Sequence, residues 1–399
     1  MRVCHVVPSL DPGTGGPAVT VPALCRALAA RGVEVTLYAT GWPREGVPEE
    51  IARRFAGESF ALRLFAARRG PLRGRLPWSE VLRRDLLAHL REQPTVVHVH
   101  SLWNPLASMV MRDLRLDRRP YLLSSRGMLD PVVLARNAPA KRLWAWAWER
   151  ANVEQAASLH CTTQAEAEKA RRCGWRLPEI VVVPNSVEWA HWQNLPSPQT
   201  MRTRYPQLRG REVILFVGRL NWVKNLPVLV RALAVLRRSR PDTLLLLAGP
   251  DEEGVGEELE RLATELGMAG ALVRTGMLDR EGLRAAMACA DAGALISLKE
   301  NFGMGAAESL AAGIPVVLSH GVDLGVTLNS AAVRRVEARP EAVAGALQSL
   351  LQAGGARGSL GEEARRLAWR QWGETALDPL LAAYAKAGAT SGGGVAGGG

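Results

Sequence analysis

Short apolar runs alternate with amphipathic helical patterns along almost the whole chain, and that alternation limits the fold more than any other feature. Residues 3–7, 34–38, 96–100, 121–125, 159–163 and 180–183 are predicted strands, with helices between them such as 18–30, 79–91 and 141–157. Strands separated by helices run parallel, in a sheet covered on both faces. The pattern stops near residues 189–211, which are polar and contain Pro196, Pro198 and Pro206. It restarts with strands at 213–217, 243–248, 272–275, 292–297 and 316–319 and helices at 226–238, 257–266, 282–288 and 304–311. The expected organisation is an α/β unit over 1–190, a linker over 191–211 and a second α/β unit over 212–372. A helix over 373–388 and a disordered glycine-rich tail over 389–399 follow. A ligand cleft is expected between the units, at the carboxyl ends of the strands.

Composition bears on partners. Apolar residues make up 47% and charged residues 22% of 399 residues, which excludes whole-chain disorder, collagen or coiled coil. Lys and Arg number 50 against 39 Asp and Glu, a formal +11. The excess is lopsided: residues 1–190 hold 27 basic and 18 acidic residues, residues 191–399 hold 23 and 21. A uniformly basic surface is therefore excluded. A nucleic-acid-binding or other anion-binding protein rests on charge alone, and the near-neutral second half argues against it. Five scattered cysteines contain no C-x-x-C pair, which suits a reduced, cytoplasmic compartment. The first apolar run is too short for a signal peptide, and no run reaches the length of a membrane span.

Three loops carry chemistry. The first follows the first strand and holds Gly13, Gly15 and Gly16 before Ala18. It lets a phosphate or sugar approach backbone N–H groups, or serves as a plain turn. A dinucleotide fingerprint fits poorly: the loop is long before its first glycine, and the second strand lacks the acidic residue that holds a ribose. The second loop leaves the first strand of the second unit through Gly218 and places Arg219 and Lys224 before a helix that opens with Leu226-Pro227. Two cations beside a helix N-terminus suit a diphosphate. The third holds Glu300, Phe302, Gly303, Met304 and Glu308, two carboxylates flanking the start of a helix. Carboxylates accept hydrogen bonds from sugar hydroxyls, and free N–H groups hold oxygens. His98 and His100 alternate on one strand and point the same way. Zinc would need further ligands, and none is evident nearby; one His faces the acceptor cleft, or both are structural. Trp144, Trp146 and Trp148 lie among Arg136, Lys141, Arg142 and Arg150, and serve either core packing or an aromatic–basic membrane contact. The Arg-rich stretch 68–78 is a second contact candidate or a solvated loop.

Glu300-x7-Glu308 inside E-N-F-G-x-G-x-x-E-S-L-A-A-G-I-P-V-V, with G-R-L-x-x-x-K-N upstream, resembles retaining glycosyltransferase family four. The likeness covers nearly the whole chain. H-V-H-S-L-W, S-R-G-M-L and V-P-N-S-V in the first half resemble the branch that builds bacterial surface polysaccharides. The resemblance implies the GT-B fold, two Rossmann-like α/β domains facing across a cleft. The first would bind the acceptor and the second the nucleotide-sugar donor. By position, Arg219 and Lys224 would stabilise the departing diphosphate, a role worth a rate factor of about 10²–10³ per donor. Glu300 would face the donor sugar, with Phe302, Gly303 and Met304 N–H groups close by. Glu308 would hold the ribose, and Met277 and Leu278 would lie near the base. Gly15 and Gly16 would approach the phosphates. Many relatives have a His where this chain has Arg126, so a His-dependent role there is in doubt. Arg126, with His100, would bind an acceptor phosphate or carboxylate. No D-x-D pair occurs, so no metal and no other cofactor is expected beyond the nucleotide-sugar co-substrate.

The expected activity is transfer of a sugar to a growing, lipid-linked glycan with retention, on the inner face of the cell membrane. An anionic membrane surface would meet the first domain, and no nucleic acid is a partner. A nucleotide-sugar epimerase or a phosphorylase is the alternative on the same fold.

Overall fold

The computed structural model describes residues 1–11, 14–41, 47–69, 77–252 and 254–392. Two compact units divide the chain: residues 1–186 with 374–399, and residues 187–373.

The first unit is built on seven parallel strands: β1 (Arg2–Val7), β2 (Glu34–Gly41), β3 (Ala61–Ala66), β4 (Val96–His100), β5 (Tyr121–Ser124), β6 (Ser158–Cys161) and β7 (Glu179–Val182). Their order is β3-β2-β1-β4-β5-β6-β7. Period-2 alternation sends β1 residues to two separate cores. Cys4 and Val6 face one with Val97, Val99, Tyr121 and Leu123. Val3 and Val7 face the other with Leu24, Leu28 and Val96. The helices start where their caps dictate. Asn104 Oδ1 accepts from Leu106 N and Ala107 N, with Pro105 opening the helix Pro105–Leu116.

The second unit holds β8 (Glu212–Val217), β9 (Thr243–Ala248), β10 (Leu272–Gly276), β11 (Ala292–Leu295), β12 (Val316–Ser319) and β13 (Val333–Val336), all parallel, in the order β10-β9-β8-β11-β12-β13. β9 is buried along its whole length, as its unbroken Leu run requires of an inner parallel strand.

Several boundaries differ from the sequence expectation. Residues 191–211, expected as a linker, fold with the second unit: Trp192, Met201 and Leu208 are buried in its core. Burying these side chains holds the segment in place despite its prolines. The helix expected at 373–388 runs Asp378–Gly392 after a turn Glu374–Leu377. It belongs to the first unit, where Leu380 and Tyr384 are fully buried beside β1 and β4 residues. Residues 389–392, expected to be disordered, continue it, while 393–399 lie outside the described residues. So does most of the Arg-rich stretch 68–78, whose ends pair as a two-stranded antiparallel ribbon, Arg68–Arg69 with Pro77–Trp78.

Candidate active site

Nearly every residue expected to bind donor or acceptor lies on a loop that leaves the carboxyl end of a parallel strand or at the start of the helix that follows, where loops converge in α/β sheets.

In the second unit, β8 ends at Val217 and the chain leaves through Gly218 into a short 3₁₀ turn, Trp222–Lys224. Lys224 Nζ forms an ion pair with Glu300 Oε2 on the loop after β11. The two loops are tied by Leu298 N donating to Val223 O at 2.8 Å. Glu300 is pinned from the other side: its N–H donates to Gly321 O at 2.8 Å, and its carbonyl accepts from Asp323 N at 2.9 Å. Both side chains are largely sheltered, at 16% and 21% exposure. Arg219 points to a partner that the sequence reading missed. Its Nη1 donates to Glu252 Oε1 at 2.8 Å, and Asn221 Nδ2 donates to Glu252 Oε2 at 3.2 Å. Glu252 follows Pro250-Asp251 on the loop after β9, so its place past a strand end was the available signal.

Gly303 is the N-cap of the helix Met304–Ala311 at φ +92°. A side chain there would be strained and would press on Leu295 Cδ2 at 2.7 Å. The loop therefore turns sharply and presents the helix's first N–H groups, which have no partner inside the helix. Phe302 itself points inward, buried with Trp372 at 6.3 Å between ring centroids. Its backbone is what remains for a ligand. Met277 is exposed on the loop after β10, while Leu278 packs against the core.

Glu308 sits one turn into the same helix, and burial pushes its carboxyl up from 4.5 to about 7, against the opposing charge of Arg280. The folded protein therefore holds a proton that the unfolded chain has lost across this window, and stability falls as pH rises through it. Glu308→Gln keeps the shape without the charge. Its melting temperature is expected to hold level between pH 5 and pH 7 relative to the declining wild type. Parallel melting curves for the two proteins across that range would contradict the assignment.

In the first unit, Gly15 and Gly16 stand at the start of the helix Pro17–Ala30, with open space where a Cβ would lie. Arg126 follows β5 in a left-handed conformation, φ +53°. Its Nη1 donates to Asn185 Oδ1 at 2.5 Å and Thr20 Oγ1 at 3.4 Å, and its Nη2 to His100 Nδ1 at 3.1 Å. All three partners are neutral; the Glu166 carboxylate, which accepts from Ser125 Oγ at 2.8 Å and Gly127 N at 2.5 Å on either side of Arg126, acts on the guanidinium electrostatically. Burial brings it down to about 10, so it remains a cation at neutral pH.

His100 belongs to a cluster that sequence reasoning did not find. Register places His5 of β1 beside His98 of β4, and Ser124 of β5 between His100 and His160. All four imidazoles are buried. Burial first, then neighbouring cationic groups, lowers His5 to about 3, and His98 and His100 also lie well below the ordinary value. The expectation that His98 and His100 lack a further ligand is corrected, because His5 brings three ring nitrogens within 4.8 Å of one another. Tautomers decide how they are used. Arg126 can only donate, so the His100 proton sits on Nε2 and is donated to His5 Nδ1 at 2.9 Å. A metal ion would have to break this chain beside a guanidinium. On the same sheet face His98 Nδ1 meets Tyr384 Oη at 2.7 Å, a partner supplied by the last helix.

Two parallel α/β units in sequence, each carrying candidate ligand residues at its strand ends, are what the GT-B fold of glycosyltransferases is built from, and the likeness to solved structures shows that fold. Solved structures of this fold align with the chain from end to end. Sucrose-phosphate synthase from Thermosynechococcus elongatus gives a TM-score of 0.75 at 21% identity, over 98% of this chain and 100% of that one. Anabaena HepE, solved with UDP and glucose, gives 0.73 at 17% identity, over 96% and 98%. Residues 15–186 match the glycosyl transferase 4-like domain, and residues 199–367 match glycosyl transferases group 1. The D-inositol 3-phosphate glycosyltransferase of Jonesia denitrificans is 30% identical over 96% of this chain and 95% of its own length. A Mycobacterium tuberculosis glycogen synthase is 34% identical over 41% of this chain and 37% of its own length. The chain belongs to glycosyltransferase family four.

Proposed function

We propose that the protein moves a sugar, with retention at the anomeric carbon and without a metal, from a nucleotide-sugar donor to a glycan or lipid-linked acceptor in polysaccharide biosynthesis. The observation that carries this reading is the Lys224–Glu300 pair, held by two tied loops at neighbouring strand ends. A donor diphosphate would take the Lys224 ammonium and release the Glu300 carboxylate to the hydroxyls of the sugar. Preorganised charge of this kind acts on the leaving group as negative charge builds there, and costs no reorganisation at that moment. Arg219, already aligned by Glu252, would supply the second cation in place of a metal. Glu308 would accept from the ribose, Met277 and Leu278 would border the base, and the Phe302, Gly303 and Met304 amides would meet donor oxygens. Gly15 and Gly16, with open space at the start of a first-unit helix, would leave room for phosphate oxygens at their backbone.

The acceptor would bind in the first unit at Arg126 and His100. A sheltered guanidinium with neutral partners suits a phosphate or carboxylate. The names of several relatives specify a phosphorylated acceptor, which agrees in chemistry. No helix among the described residues is long and apolar enough to cross a membrane. Attachment to the inner face of the cell membrane would therefore be peripheral.

A thermal-shift screen against UDP-, GDP- and ADP-sugars tests the reading. One nucleotide class is expected to raise the melting temperature of the wild type. The absence of any shift would sink it. Epimerisation of the donor alone, or phosphorolysis once inorganic phosphate is supplied, would move the protein to another reaction on the same fold.

A further inference from the structure

One helical segment of the first unit buries almost nothing. The helices Pro131–Ala135 and Ala138–Trp144 contain no buried residue. Val132, Leu143 and Trp146 are 70%, 67% and 83% exposed within fifteen residues. Scattered single exposures need no explanation, but three large apolar side chains on one short segment do.

The same segment is one-sided in charge. Residues 131–150 carry Arg136, Lys141, Arg142 and Arg150 and a single acid, Glu149. Glu149 is fully buried, accepting from Trp103 N at 2.6 Å and Ser108 Oγ at 2.9 Å, so it does not offset the basic surface. Arg150 is paired with Glu154 at 2.8 Å, and Lys141 Nζ donates to the Val133 carbonyl and lies 5.7 Å from the centre of the Trp103 ring, which leaves Arg136 and Arg142 as the exposed cations of the segment.

Local geometry turns Trp146 outward. A π-helical turn, Ala145–Glu149, interrupts the helix. Trp144 and Trp148 stay together at 5.0 Å, with Trp144 Nε1 donating to Ser108 Oγ, while Trp146 leaves their face. Such turns are rare and often functional. The segment also lines an open cavity of about 570 Å³, with Trp103, Trp146 and Trp175 beside Lys141, Arg142 and Arg150.

We propose that residues 131–150 seat on an anionic lipid bilayer, with Val132, Leu143 and Trp146 entering the headgroup layer and Arg136 and Arg142 meeting lipid phosphates. The charge selects this occupant. A basic rim around exposed Trp and Leu is the composition of a membrane-surface helix, where the apolar side chains find apolar volume and the cations find phosphate. The long basic side chains reach the phosphates while their stems cover apolar surface. The inference deepens the lipid-linked acceptor reading and rests on it for its purpose, since such an acceptor lies in the bilayer.

The test is co-sedimentation of the full-length protein with vesicles. Binding is expected to vesicles of equal parts phosphatidylcholine and phosphatidylglycerol, not to pure phosphatidylcholine, and to weaken as salt rises. Leu143→Ser with Trp146→Ser removes exposed apolar surface without touching the core, and should lower binding about tenfold or more. Arg136→Glu with Arg142→Glu should abolish the preference for anionic vesicles. No binding by the wild type, or equal binding by the Leu143/Trp146 variant, overturns the proposal. A dimer in sedimentation velocity that the same variant dissolves would give the face to a second copy of the chain and also overturn it. Thermal shift with nucleotide sugars separates the two readings. Donor binding without vesicle binding removes this proposal alone, and vesicle binding without donor binding removes the transferase reading alone.

Discussion

Lys224→Ala is expected to lower kcat by about 10²–10³ while the protein remains folded. The side chain is sheltered but lies in a loop, and its polar contact is the Glu300 carboxylate at the rim of the second unit. Losing it leaves that carboxylate to water, a small cost to stability. It leaves a departing diphosphate without its point charge, a large cost to the transition state. The loss should appear mainly in kcat, because charge develops on the leaving group as the bond breaks. Glu300→Ala should fall to a similar level through the donor sugar instead. Wild-type rates in either folded variant would remove the pair from the mechanism.

Gly249→Ala should act the opposite way, through stability. Gly249 follows β9 at φ +151°, and a Cβ there would stand 2.0 Å from the Gly218 carbonyl oxygen and 2.6 Å from its carbon. The obstacle is backbone and cannot rotate away. It is also the crossing point of the two loops that carry Arg219 and Glu252, joined by Leu220 N to Pro250 O at 2.8 Å. Strain plus overpacking should cost about 3 kcal/mol or more, a fall of about 6–12 °C in Tm for a unit of this size. Gly345→Ala is the matched control. It lies inside the helix Pro340–Gln352 with nothing within 4 Å of a Cβ, and should be neutral or slightly stabilising. Equal Tm values for Gly249→Ala and wild type would refute the packing account.

How far the sequence could be read follows from where each signal lies along the chain. Inner strands such as β9 are short apolar runs between helices and were legible as such. The edge strands β3 and β13 were not. Ala61–Ala66 and Val333–Val336 carry Arg63, Arg334 and Arg335, the charged residues that guard sheet edges and break an apolar pattern. Lys224, Glu300 and Glu308 stood out because glycines and a helix start surround them locally. Glu252 did not, because its meaning depends on which strand neighbours β8. The histidine cluster was beyond sequence reasoning for the same reason. His98 and His100 share a strand, but His5 and His160 reach them only through sheet order, and Tyr384 arrives from the last helix. Proline and polarity made 191–211 look like a linker, while three apolar side chains spaced through it hold it to a core.

The return of the last helix to the first unit also orders events during synthesis. The second unit is complete once Gly373 has emerged, whereas the first still lacks Leu380 and Tyr384. The half that is translated first is therefore the half that finishes last. Until the final helix docks, the imidazole face of its sheet stays open to water, and a chain stopped short of that helix would carry an unfinished first unit beside a finished second one.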